Sequence, residues 1–95
     1  MEIVYLSAAL KDLEWMRVYY TRRFREGGLS ARNNFLATEK LILEYPEIGH
    51  LTDFKDVREI TILKTPFSII YRVTPTQIEV LRVWDGRADP GNLDL

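Results

Sequence analysis

The chain has no cysteine and a single histidine. The first absence excludes a disulfide framework and thiolate chemistry, and it suits a reducing compartment. No HExxH, glycine-rich phosphate loop or GxSxG occurs. The signatures of a zinc protease, a phosphate cradle and a serine hydrolase are therefore missing. The acidic pairs Asp12/Glu14, Glu44/Glu47 and Asp53/Asp56 fall on expected helices or loops, without an apolar pocket visible in sequence. No metal and no cofactor are expected. No apolar run approaches the roughly 20 residues that span a bilayer, so no membrane association is expected. Met1–Tyr5 has no basic stretch before an apolar segment, so it does not read as a signal peptide, and a cytoplasmic location is expected. Excess positive charge is also lacking: the formal net charge is −1. That argues against a dedicated nucleic-acid binder, whose affinity comes from Lys and Arg neutralising phosphates.

What is present suffices for one ordinary globular core. Of the 95 residues 46% are hydrophobic, and one domain over residues 1–95 is the natural reading. Ile3–Leu6 is a short strand-like run, and Ser7 is a plausible N-cap. Leu10, Leu13, Met16, Tyr20 and Phe24 then recur at helical spacing, with Trp15, Val18 and Tyr19 beside them. Gly27-Gly28 is expected to end this helix in the left-handed conformation that glycine tolerates. Ser30 opens a second helix whose inner face is Ala31, Phe35, Thr38, Ile42 and Tyr45, and Pro46 stops it. The short connection predicts a helical hairpin. Tyr45–Lys55 reads as a loop, with Leu51 and Phe54 tucked against the core edge.

The last third is β-rich. Ile60 and Ile62 alternate with Glu59 and Thr61. Phe67, Ile69, Tyr71 and Val73 share one face of the next strand, with Ser68, Ile70 and Arg72 on the other. A turn at Pro75-Thr76 leads to Ile78–Trp84 and sets Arg72 opposite Glu79, a pair worth about 0.2–1 kcal/mol. The same turn would aim Arg82 at the core, so a bulge or a longer loop is expected in that strand. The order is β-α-α-β-β-β: an α+β fold with the hairpin on one face of a small, mainly antiparallel sheet.

Several segments carry a resemblance. They are Ala8–Leu13 opening the first helix, Tyr45-Pro46-Glu47-Ile48-Gly49 leaving the second, Ile69–Val73, and Ile78–Pro90 with its Trp84-Asp85-Gly86-Arg87-Ala88-Asp89. In this order they resemble the ParE/RelE superfamily of type II toxin–antitoxin toxins over nearly the whole chain. The resemblance implies one of two activities: ribosome-dependent mRNA cleavage in the RelE-like branch, or inhibition of DNA gyrase in the ParE-like branch. RelE-like ribonucleases are similar to one another in an Arg where this chain has Ser68. They also carry a Tyr or His near the C-terminus, where the equivalent here is Leu93. Many members have His at the position of Asp85, and only Arg87 matches a ribonuclease-type cation. The chain thus looks like the ParE-like branch. That branch implies a ParD-like cognate antitoxin, DNA gyrase as target, growth arrest, and action by binding with no catalytic residue. The alternatives are a RelE-like endonuclease using Arg87 with Arg58, Lys64 or Arg82, and a degenerate toxin that only binds its antitoxin.

The candidate contact residues form three groups. Arg22 and Arg23, with Arg17, Arg25 and Arg32, make the hairpin end basic, which is either a docking patch or a solvated helix face. Arg58, Arg72, Arg82 and Arg87 lie on or beside the sheet, as partner contacts or as charges that discourage edge pairing. Trp84 and Asp85 either cover the core end or join a site, while Asp89 is expected to bond amides of its own turn. Trp15 and Tyr19 are interface anchors if exposed. His50 lies in a loop with no obvious carboxylate partner, which favours a surface role over acid–base work.

Overall fold

A computed structural model describes all residues, Met1–Leu95. Strand β1 (Glu2–Tyr5) leads into helix α1 (Ser7–Val18), which continues as a π turn over Tyr19–Arg23. A 3-10 turn (Arg25–Gly27) joins it to helix α2 (Gly28–Glu44). Strands β2 (His50–Leu51), β3 (Arg58–Thr61), β4 (Phe67–Val73) and β5 (Gln77–Asp85) follow, then a short 3-10 turn at Pro90–Asn92. The sheet order is β1-β5-β4-β3-β2. Only the β1–β5 pair is parallel; the others are antiparallel.

The main core lies between the helices and one face of the sheet. Ala9 and Met16 from α1, Tyr20 from the π turn, and Ala31 and Ile42 from α2 meet Phe67, Ile69 and Tyr71 of β4 and Ile78, Val80 and Val83 of β5. The α1 stripe therefore starts at Ala9, and Leu10 and Phe24 are exposed. The small Ala9, fully buried, lets the helix approach the sheet closely. The inner face of α2 is as expected through Ile42, but Tyr45 is exposed, because the backbone has already left the helix there (φ −134°, ψ 78°).

Four other expectations change. Ser7 lies inside α1: Leu6 is the capping position and makes no side-chain cap bond. Its amide instead donates to Val80 O (3.0 Å), so the β1 ladder runs straight into the helix. The glycines at the hairpin tip are right-handed, with φ of −86° at Gly27 and −60° at Gly28. The exposed Phe24 ring lies over Gly27, 2.3 Å from where a Cβ would stand, so a side chain there would displace the ring. Leu51 and Phe54 are exposed, and Val57 is buried in their stead. Leu51 belongs to β2, the edge strand that the loop reading missed. Finally, the face opposite the helices is not bare: Ile70 lies there as expected, but buried. With Val57 and Leu81 it forms a second small cluster, flanked by Leu6, Trp84 and Leu93, while Val73 is partly exposed at the strand end.

The expected irregularity in β5 is a bulge. Tyr71 pairs with Val80 and Ile70 with Arg82, so Leu81 is the extra residue. The insertion returns Val83 to the core and keeps Arg82 out of it. Beyond the bulge, Arg72 is opposite Glu79, and their side chains meet at 2.6 Å. The exit from α2 is tied down by buried Tyr71. Its hydroxyl donates to Pro46 O (2.8 Å) and accepts from the Gly49 amide (2.9 Å). A Cβ on Gly49 would lie 2.8 Å from that hydroxyl, which accounts for the glycine in Tyr45–Gly49.

Candidate functional site

Helix α1 carries a second stripe, Asp12, Trp15, Tyr19 and Arg23, at spacings of three, four and four. Such residues share one helix face. The stripe lies against the end of β5 and the turn after it. Together they line an open cleft of about 470 Å³ with Arg82, Val83, Trp84, Asp85, Arg87 and Ala88.

Asp12 anchors the inner wall. β1 ends at Tyr5, opposite Val80, so the edge of β5 beyond it has no neighbouring strand. The Asp12 carboxylate fills the gap: Oδ2 accepts from the Val83 amide (3.0 Å). The same carboxylate takes a two-bond contact from Arg82, Nε to Oδ2 at 2.6 Å and Nη2 to Oδ1 at 2.9 Å. Both side chains are mostly buried, at 17% and 15% exposed. Arg82 also donates to Asp94 O (3.2 Å) and lies over the Trp84 ring at 5.2 Å. Its proton is held more tightly than in a free arginine, chiefly through the bond to Asp12.

Asp85 organises the mouth. It accepts from Arg87 Nε (2.9 Å) and Nη2 (2.8 Å), from the Arg87 amide (3.0 Å), and from Trp15 Nε1 (3.3 Å). The Arg87 guanidinium is the main reason why the Asp85 carboxyl is pulled down to about 2. Arg87 in turn is raised, first by that carboxylate. Its guanidinium stacks on Tyr19 at 4.5 Å from the ring centre, and Arg23 lies over Trp15 at 5.8 Å. Three guanidiniums therefore rest on three aromatic rings. Two are neutralised by carboxylates, and Arg23 makes no ion pair.

Of the residues singled out in the sequence, Arg23, Arg82, Trp84, Asp85 and Arg87 come together here. Arg22 is exposed on the same π turn but does not line the cleft. Arg58 plays a structural part instead, its guanidinium donating to the carbonyls of Glu47 (3.0 Å) and Gly49 (2.8 Å). Arg72 sits towards the far end of β4, on Glu79. His50 is on edge strand β2, three strands from β5, with Glu59 at 3.8 Å. Asp89 bonds the Gly91 amide within its own turn (2.9 Å). Asp12 was missed, although its place in the 12-15-19-23 stripe was available as a signal. No group of three or more acidic or histidine side chains converges as a metal site requires.

Comparison with known proteins agrees with this architecture. The family model described as "ParE toxin of type II toxin-antitoxin system, parDE" matches residues 3–90. No curated protein sequence matches. Among solved structures, a chain of the chromosomal ParDE system from P. aeruginosa superposes with a TM-score of 0.71 at 24% identity, over 87% of this chain and 92% of that one. At that identity the likeness speaks for the fold: two helices on a five-stranded mixed sheet. The family match spans nearly the whole sequence, and the chain belongs to the ParE toxin family of type II toxin–antitoxin systems.

Proposed function

We infer that this toxin acts by gripping a protein target, DNA gyrase, and that a cognate antitoxin neutralises it by covering the cleft and the neighbouring helix face. The observation that carries the reading is the state of the cleft's charges. Arg82 is already saturated by Asp12, and Arg87 by Asp85. A phosphorane would need several uncommitted cations with a proton donor and acceptor beside them, and Arg23, held over Trp15, is the one unpaired cation lining this cleft. Asp85 stays ionised down to about pH 2 and serves as the counter-ion of Arg87. The position that carries an arginine in RelE-like ribonucleases is Ser68, here buried and 3.4 Å from the Thr61 hydroxyl. The position of their terminal acid–base residue is Leu93, which packs against the small cluster of Val57, Ile70 and Leu81. Tryptophan, tyrosine and arginine in a partly desolvated cleft are the usual ingredients of a protein-binding hot spot.

Antitoxin binding follows the same physics. An acidic, apolar segment would meet Arg23 and the exposed Trp15, with the other exposed hairpin cations around them. No helix of this chain is long and apolar enough to cross a membrane, and the proposed site of action is the cytoplasm. The test is to induce the chain alone and follow plasmid supercoiling, DNA breaks and mRNA integrity over time. Loss of supercoiling with intact mRNA, reversed by the product of the neighbouring gene, is the expected result. Ribosome-dependent mRNA cuts that vanish in Arg87→Ala would overturn it in favour of the endonuclease reading. An absence of growth arrest would favour a degenerate toxin.

A further inference from the structure

Opposite charges gather around the two ends of α2 in this nearly neutral chain, with Glu39 and Lys40 between them, and its 17 residues separate those ends by about 25 Å. At its start, the hairpin tip exposes Arg22, Arg25 and Arg32 around exposed Phe24 and Leu29. None of the three arginines makes an ion pair, and Glu26 is the one acid among them. At its other end lies an open hollow of about 780 Å³, lined by Glu44, Tyr45, Pro46, Glu47, Ile48 and Val73. Asp56 and exposed Leu51 adjoin it. Glu44, Glu47 and Asp56 are likewise without ion pairs. The cation lining the adjoining recess, Arg58, points its guanidinium at two carbonyls.

Only the acidic end opposes its helix dipole: Glu44 closes α2, whereas Arg22 lies in the last turn of the preceding π helix, where a cation is favoured, and Arg32 lies beyond the first turn of α2. The first turn of α2 contains no acid and its last turn no base. Each end offers apolar surface ringed by charge of one sign, and the two ends of the same chain are complementary.

We propose that free copies of this chain associate head to tail, the basic tip of one seating in the acidic hollow of another. The contact is heterologous, so it grows with concentration unless two antiparallel copies close both contacts at once. It involves surfaces outside the cleft and does not depend on the gyrase reading.

The test is sedimentation of the purified chain over micromolar to near-millimolar concentrations. Association should weaken at least about tenfold between low and high salt, as surface charges are screened. Two charge-reversed variants decide the matter: Arg25→Glu with Arg32→Glu, and Glu44→Lys with Glu47→Lys. All four side chains are exposed, so each variant should melt within a few degrees of the parent. Each alone should associate at least about tenfold more weakly, and an equimolar mixture of the two should associate again, because opposite ends are once more available. A parent chain that stays monomeric throughout would leave the hollow to a basic segment of some other protein and would overturn the proposal. So would association that both reversals leave unchanged, or a mixture that fails to restore it.

Discussion

Replacing Asp12 by alanine should destabilise the fold by about 3 kcal/mol, and the sum can be followed bond by bond. The carboxylate accepts the Val83 amide at 3.0 Å where β1 no longer reaches. Stranding that amide costs about 1–3 kcal/mol. The same change leaves Arg82, 17% exposed, without its two-bond partner. Breaking a fully buried pair costs roughly 3–5 kcal/mol. This one costs less, about 1–2 kcal/mol, because Arg82 keeps the Asp94 carbonyl, the Trp84 ring and some contact with water. For a chain of this size the total corresponds to a fall in Tm of about 12–24 °C. Asp12→Asn separates the two contributions, since its amide oxygen still accepts from Val83 while the charge is gone; it should cost about half as much. Urea unfolding followed by far-UV circular dichroism gives each value. A double-mutant cycle with Arg82→Met should return a coupling of about 1–1.5 kcal/mol. A loss under about 1 kcal/mol for Asp12→Ala, or a coupling indistinguishable from zero, would show that the clamp is incidental and that packing alone holds α1 to β5.

Tyr71→Phe removes the hydroxyl that joins Pro46 to Gly49 and leaves two backbone groups unpaired in a buried place; the expected loss is about 1–3 kcal/mol by urea midpoint, and a change below about 0.5 kcal/mol would count against the link. Asp85 should titrate at about 2 in an NMR pH series. Its folded-state value is depressed, so its contribution to stability is complete above about pH 4, where the unfolded carboxyl is ionised, and fades as pH falls from there towards 2. An ordinary carboxyl value for Asp85 in the folded protein would mean that the Arg87 contact is absent in solution.

The fold was largely legible because its signals are local and repeated. Helical spacing marked Met16 to Tyr20 and Ala31 to Ile42, alternation marked Phe67 to Tyr71, and prolines marked the turns. The bulge was readable for a different reason: a charge at Arg82 is too costly in a core, so the register had to shift. What failed depended on tertiary context. Gly27 looks like a left-handed helix terminator, yet its backbone is right-handed and the Phe24 ring folds over it. Ile70 looks like an outward residue until the C-terminal segment brings Leu93 back beneath the sheet. A two-residue strand such as His50–Leu51 has no periodicity to detect.

The site was half legible for the same reason. Arg82, Trp84, Asp85 and Arg87 are close in sequence, so a terminal motif points to them together. Asp12 lies 70 residues from Arg82, and Trp15 is 70 residues from Asp85. Their roles exist only because β1 stops short and exposes the edge of β5 to α1. That detail also bears on function. An arginine met in a sequence reads as an available cation, and four or five near a sheet invite thoughts of a phosphate. Here the partners decide: Asp12 and Asp85 turn two such cations into fixed, ring-stacked ion pairs. On the protein-binding reading proposed above, what such a surface offers a partner is exposed Trp15 and the unpaired Arg23 beside two neutralised cations. It is better matched to the shape of a protein than to the charge of an RNA backbone.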